Sequence, residues 1–269
     1  GNVFQQEVNF RGFSASPLLG TPQGVSVYLD GVRVNESLGE VVNWDLIPLN
    51  AIEGLVLVPG ATPLFGLNTL AGALSVSTKS GFTSPGLEAA LELGSWDRSQ
   101  MEASVGVHDD HFAAFLAFNR VREDGWRVNS PSEVNQLFGR GDFRSRFGTL
   151  SLTALTGDNR LVGNGTLPFR TFEDDPSQVF TAPDITRNRV RQFNVTGALY
   201  PREGLTLSWL GYRRDLTQSI RSGDVWDDWE RAIDGRMGYD CQFFGSAPGE
   251  GGNGFVAGHP GYPGCYPNG

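Results

Sequence analysis

The sequence predicts a small mixed α+β unit followed by the antiparallel strands of a transmembrane β-barrel. Three observations carry this expectation. Residues 1–81 are short strands and turns punctuated by Gly and Pro, whereas from residue 86 onward apolar and polar residues alternate strictly. The connections between the alternating segments are by turns short and long, the asymmetry of a barrel with tight turns at one rim and extended loops at the other. No stretch reaches the roughly 18 consecutive apolar residues of a membrane-spanning helix, and a barrel needs none, because its lipid-facing and lumen-facing side chains average out.

Within the first unit, "VSVYLDGVRV" places Val25, Val27 and Leu29 on one face, and Asp30-Gly31 supplies the positive backbone angles of a tight hairpin. Pro48 suits a first helical turn, so "IPLNAIE" reads as a short helix stopping at Gly54. "LVLV" follows as a buried strand, "PGATPLFGLNTLAGA" as irregular chain, and "LSVST" as a further strand.

After Pro85 come Leu87 to Leu93 and "SQMEASVGV", in which Met101, Ala103, Val105 and Val107 oppose Gln100, Glu102, Ser104 and Gly106. Phe112 to Val121, Gln136 to Arg144, Thr149 to Thr156, Val190 to Tyr200 and Leu205 to about Arg213 complete seven strands. In the last, Leu205, Leu207 and Trp209 form an apolar stripe ending in an interfacial aromatic. The short connections are "GSWDR", "HDDH", "RSRFG" and "YPREG"; the long ones are "REDGWRVNSPSEVN", the segment from "GDNRLVGNGT" to "DITRN", and the chain from about residue 221 onward. Single-chain bacterial barrels close on an even strand number, so seven strands ending in an open loop lead us to expect an incomplete barrel over residues 86–269.

The chain holds 21 Lys plus Arg against 30 Asp plus Glu, a net charge of -9. That excess disfavours a nucleic-acid partner, which requires a basic face. The start, "GNVFQQEVNF", lacks the regions of a signal peptide. Two cysteines, Cys241 and Cys265, either form a disulfide, which suits an oxidising compartment and stabilises by roughly 3 to 4 kcal/mol, or stand as free thiols. There is no Gly-x-Ser-x-Gly, no Walker lysine and no zinc motif, so neither an enzyme nor a bound cofactor is expected. "HDDH" at His108 to His111 reads as the cap of a short turn rather than a metal site. Glu173, Asp174 and Asp175, like Asp224, Asp227, Asp228 and Glu230, offer hard oxygen ligands suited to calcium, against the plainer reading of solvated loops.

In order and spacing, "FRGF" at Phe10 to Phe13, "VYLDGVRVN" at Val27 to Asn35, "IPLNAIEGLVLVPG" at Ile47 to Gly60 and "LFGLNTLAGALSVSTK" at Leu64 to Lys79 resemble the plug domain of TonB-dependent outer-membrane receptors, followed by their first barrel strands. The resemblance covers essentially the whole chain. It implies a plug inside a barrel of roughly 22 strands, hence an unfinished wall here and an N-terminally truncated plug lacking the segment that contacts TonB. It further implies an outer-membrane location among lipid and lipopolysaccharide, and active import of a scarce, bulky ligand. An iron–siderophore complex is the commonest cargo; cobalamin, haem and oligosaccharide remain open, as does a non-transporting adhesin or structural barrel. The family's ligand floor corresponds to Ser14 to Leu19 and Arg33 to Leu38, which makes Ser14, Ser16, Arg33, Asn35, Glu36 and Trp44 the expected ligand-binding residues. One departure stands out. Where many members have Arg-Gly-Pro after the buried strand, this chain has Val58-Pro59-Gly60, which leaves one familiar ion pair between plug and barrel wall without its arginine.

Overall fold

The computed structural model describes residues 2–223 apart from 62, 164, 166 and 183. Cys241, Cys265 and the acidic cluster from Asp224 to Glu230 lie outside the described residues, as does nearly all of the long loop expected from about 221.

The chain opens with a hairpin of β1 (Val8–Phe10) and β2 (Phe13–Ala15). Four further strands, β3 (Val25–Leu29), β4 (Val32–Arg33), β5 (Ile52–Pro59) and β6 (Gly72–Thr78), form a sheet in the order β4-β3-β6-β5 with β3 parallel to β6. Asp30 and Gly31 both have positive φ, 47° and 85°, the geometry expected of the tight turn joining β3 to β4.

Two expectations for this unit need correction. "IPLNAIE" is not a helix ending at Gly54. It holds a 3-10 turn at Leu49–Ala51, preceded by another at Trp44–Leu46, and Ile52 already belongs to β5. Pairing of Ile52 with Thr78 captures those residues into the sheet, with a register irregularity before Gly54. Nor is "LVLV" buried. Leu55, Val56 and Leu57 are 58%, 60% and 40% exposed, because β5 is the edge of its sheet and the seven wall strands of this chain do not cover it.

From Gly86 the chain forms one antiparallel meander, each strand paired to the next. Its members are β7 (Gly86–Leu93), β8 (Ser99–His108), β9 (Phe112–Glu123), β10 (Ser132–Ser145), β11 (Gly148–Val162), β12 (Ile185–Arg202) and β13 (Leu205–Arg221). All seven expected strands are present and mostly longer than their alternating cores, because polar arms such as Gly157 to Val162 and Ile185 to Arg189 continue the ladder. A six-residue helix, α1 (Phe169–Asp174), sits in the connection after β11.

The meander curves around the N-terminal unit and shares its core. Val25, Val27, Leu46, Ile47 and Val76 pack in one buried cluster with the wall residues Phe115, Ala117, Phe138, Leu155 and Val190. On β9 the alternation is complete, with Ala113, Phe115, Ala117, Asn119 and Val121 buried against the unit and Phe112, Leu116 and Phe118 facing outward. Burial of the inner set removes apolar area from water at about 25 cal/mol per Å², which holds unit and wall together without a covalent link beyond Lys79 to Pro85.

Candidate functional site

The contact between unit and wall is polar above and below its apolar centre. The short turns "HDDH", "RSRFG" and "YPREG" mark one end of the wall, the turn end, and the longer connections mark the loop end. Along β13 the contacts climb toward the loop end: Gly31 lies beside Leu210, Glu36 is paired to Arg214 at 2.7 Å, and Asn43 accepts from Gln218 at 2.9 Å.

Near the turn end, Asp142 on β10 accepts from Ser80 Oγ at 2.6 Å, from Ser151 and from Arg140 at 3.0 Å. Arg140 in turn donates to the Thr78 carbonyl at 2.9 Å, and Thr78 donates through its amide and hydroxyl to Asp30 at 3.0 and 2.8 Å. The Asp-Gly turn is thereby connected to the wall through two residues.

Toward the loop end the contact is built from amides. Asp45, only 4% exposed, accepts on its carboxylate from Asn159 Nδ2 at 2.9 Å and from Asn188 Nδ2 at 3.0 and 3.1 Å. Its main-chain carbonyl accepts from Gln136 at 2.6 Å and from Asn159. No cation bonds to it among the described residues. Burial therefore pushes the Asp45 carboxyl above the usual range, opposed only in part by the two asparagines. An amide-held carboxylate is a contact that separates without parting a salt bridge.

A match to the TonB-dependent receptor plug domain covers residues 1–73. That match assigns residues 1–73 to the TonB-dependent receptor plug domain. The chain is 30% identical over 105 residues to the vitamin B12 transporter BtuB of Vibrio vulnificus, a match covering 38% of this chain and 17% of that protein. Among solved structures, the ferric citrate transporter FecA in its unliganded form aligns with a TM-score of 0.63 at 16% identity, over 79% of this chain and 34% of FecA. The ferripyoverdine receptor of Pseudomonas aeruginosa aligns with a TM-score of 0.63 at 14% identity, over 85% of this chain and 32% of its own. At such identities these structures establish the shared fold. The chain spans about a third of each solved receptor's length.

The plug's expected ligand residues occupy varied settings. Ser14 and Ser16 are 1% and 0% exposed; Ser16 accepts from the Leu18 amide at 3.1 Å, and Ser14 Oγ is buried without a partner. Asn35 accepts from the Val27 amide at 2.7 Å and donates to the carbonyls of Val25 and Glu40, clamping the loop after β4. Trp44 donates to the Ala15 carbonyl at 2.9 Å. Arg33 pairs with Glu40 at 2.7 Å and also reaches the Leu67 carbonyl, joining the loops around 33–40 and 64–68. Glu36 pairs with Arg214 of the wall at 2.7 Å, both side chains largely buried.

The wall amides Gln136, Asn159, Asn188 and Gln218 were not singled out from the sequence. Their signal is present nonetheless: on alternating strands they fall on the inward face, where Asn and Gln recur at Asn119, Gln136, Asn159, Asn188, Gln192 and Asn194. The "HDDH" turn is capped by Asp109, which accepts from the amides of His111 and Phe112 at 2.7 Å. Those amides, Phe112's first, hold its carboxyl below the usual range. Asp175 plays the same part after α1, accepting from Ser177 and Gln178.

Proposed function

We propose that this chain supplies the plug and first wall strands of a receptor that imports a bulky ligand actively across the outer membrane, driven by TonB. The observation that supports this most is the contact around Asp45, where neutral amides hold a buried carboxylate and, among the described residues, no ion pair locks it. A plug that must loosen and reseat needs contacts that exchange at modest cost, about 1.5 to 3 kcal/mol for a hydrogen bond to a charged group. A permanently closed structural barrel has no such need.

The cargo we propose is an iron–siderophore complex, the class named for the solved relatives FecA and the ferripyoverdine receptor. Cobalamin is the second reading, favoured by the sequence match to BtuB. Recognition is assigned to the plug loops at the loop end, with Arg33 and Glu36 as charged groups and Ser14, Ser16, Asn35 and Trp44 as their setting. A strain lacking the gene is to be supplied with iron-55 siderophores or cobalt-57 cobalamin, with and without TonB. Uptake restored by the gene only when TonB is present supports transport, and the label that enters decides the cargo. Equal uptake without TonB contradicts the reading.

A further inference from the structure

We infer that the outward face of the wall, at its loop end, binds the phosphate groups of the outer-leaflet glycolipid, lipopolysaccharide, through an arginine belt centred on Arg160 and Arg187. This rests on the outer-membrane placement of the wall and is independent of what the receptor transports.

Strand register lays out the outward face as rows. Toward the turn end the rows are apolar or small: Phe112–Phe143–Leu150–Gly197–Trp209, then Ala114–Gly141–Leu152–Val195–Gly211. On β11 the nine residues from Gly148 to Thr156 carry no charge. Roughly nine to eleven tilted residues cross a bilayer core, so the next outward residues, Asp158 and Arg160, stand at the level of the outer headgroups. Two rows there read Arg120–Asn135–Asp158–Arg189 and Arg122–Glu133–Arg160–Arg187.

The belt is basic on a chain whose net charge is -9. Two of its carboxylates are taken: Asp158 by Arg189 at 2.6 Å, and Asp215 by Arg213 at 2.9 Å. Among the described residues Glu133 accepts only the Asn135 amide, at 3.5 Å. Arg160 and Arg187 are direct cross-strand partners, and neither has a carboxylate partner among the described residues. Like charges placed opposite one another destabilise a strand pair, and a phosphate between two guanidinium forks converts that repulsion into charge-assisted bonds. Below them Thr156 stands opposite Arg191, and from Ala154 and the exposed Phe193 downward an uncharged track begins on these two strands, in which acyl chains lie. A water-facing rim would mix signs freely. Here the excess of arginine begins where the apolar rows end.

The test uses the full receptor, delipidated in a nonionic detergent and titrated by native mass spectrometry with bisphosphorylated lipid A, dephosphorylated lipid A, phosphatidylglycerol or inorganic phosphate. Tightest binding to bisphosphorylated lipid A is expected, weakening as salt rises. Arg160→Gln with Arg187→Gln should weaken it roughly tenfold or more, while Arg146→Gln with Arg202→Gln, at the opposite rim, should leave it unchanged. Equal affinity in the first variant overturns the site. Phosphatidylglycerol binding as tightly as lipid A, or saturation by inorganic phosphate alone, overturns the assignment to lipopolysaccharide. If the first variant fails to fold, Arg160→Lys tests the fork geometry alone: retained affinity for lipid A then counts against it.

Discussion

Replacing Asn188 by Leu removes the donor that reaches both oxygens of the buried Asp45 carboxylate, at 3.0 and 3.1 Å. Asp45 then keeps one side-chain donor, Asn159 at 2.9 Å. Gln218 loses the Asn188 carbonyl at 3.0 Å but retains Asn43 at 2.9 Å, so the cost centres on the charged acceptor, about 1.5 to 3 kcal/mol. That corresponds to a roughly 10- to 100-fold rise in local opening of the plug–wall contact. Burial raises the Asp45 pKa in the seated state, so seating binds the proton more tightly than the opened state does. The contact therefore strengthens as pH falls toward that raised pKa and is weakest above it. Hydrogen exchange of the amides of Leu46, Ile47 and Ala51, corrected for intrinsic rates, reports this opening in the full receptor. Protection should drop in Asn188→Leu and, in the unaltered protein, rise as pH falls from neutral. Unchanged protection in the variant, or protection that falls with pH, would refute the role given to Asp45.

Gly81 joins plug to wall where an added Cβ would lie 2.3 Å from the Val107 carbonyl oxygen and 2.4 Å from that of Ala114. Gly81→Ala should destabilise the receptor by about 1 to 3 kcal/mol, and an unchanged denaturation midpoint would count against that close approach. Asp109 has a lowered pKa in its turn, so its contribution is present above the ordinary carboxylate range, near 3.8, and is lost as pH falls through the folded value; acid titration of the Phe112 amide by NMR should follow it, and Asp109→Asn should abolish the titration. Cys241 and Cys265 should appear as one bridged peptide in non-reducing mapping, and free thiols in a preparation made without reductant would exclude the bridge. Arg33→Ala with Asn35→Ala should lower ligand affinity roughly tenfold, while His108→Ala with His111→Ala should change it little; the reverse order would displace recognition from the plug.

The fold was legible wherever one face of a segment was apolar. Period-two alternation located all seven wall strands, and Asp30-Gly31 located the plug hairpin, because both are local signals. Strand ends were less visible, since arms such as Arg187 to Arg191 carry charge on one face and only Asn188 and Val190 on the other, a mostly polar texture that also describes loops. The edge position of β5 was invisible for a different reason. "LVLV" has the composition of a buried strand, and Leu55 and Val56 are exposed because β5 lies at the sheet edge where the seven wall strands of this chain do not reach over it. At the candidate site, individual plug residues were named from the resemblance, but their partners were beyond reach: Glu36 and Arg214 are separated by 178 positions, Asp45 and Asn188 by 143. Pairings at such separations follow from how the wall wraps the plug, which local patterning does not encode.

For ligand to pass, the plug must shift against the wall. Asn43→Cys with Gln218→Cys, bridged by a bis-methanethiosulfonate linker across the site of the present 2.9 Å hydrogen bond, tethers the two in the full receptor, with the equally treated unaltered protein as control. Uptake of the ligand that the labelled-cargo assay identifies should be lost in the bridged variant while ligand binding persists, and a reductant should restore uptake. Uptake at the unaltered rate in fully bridged protein would contradict the claim.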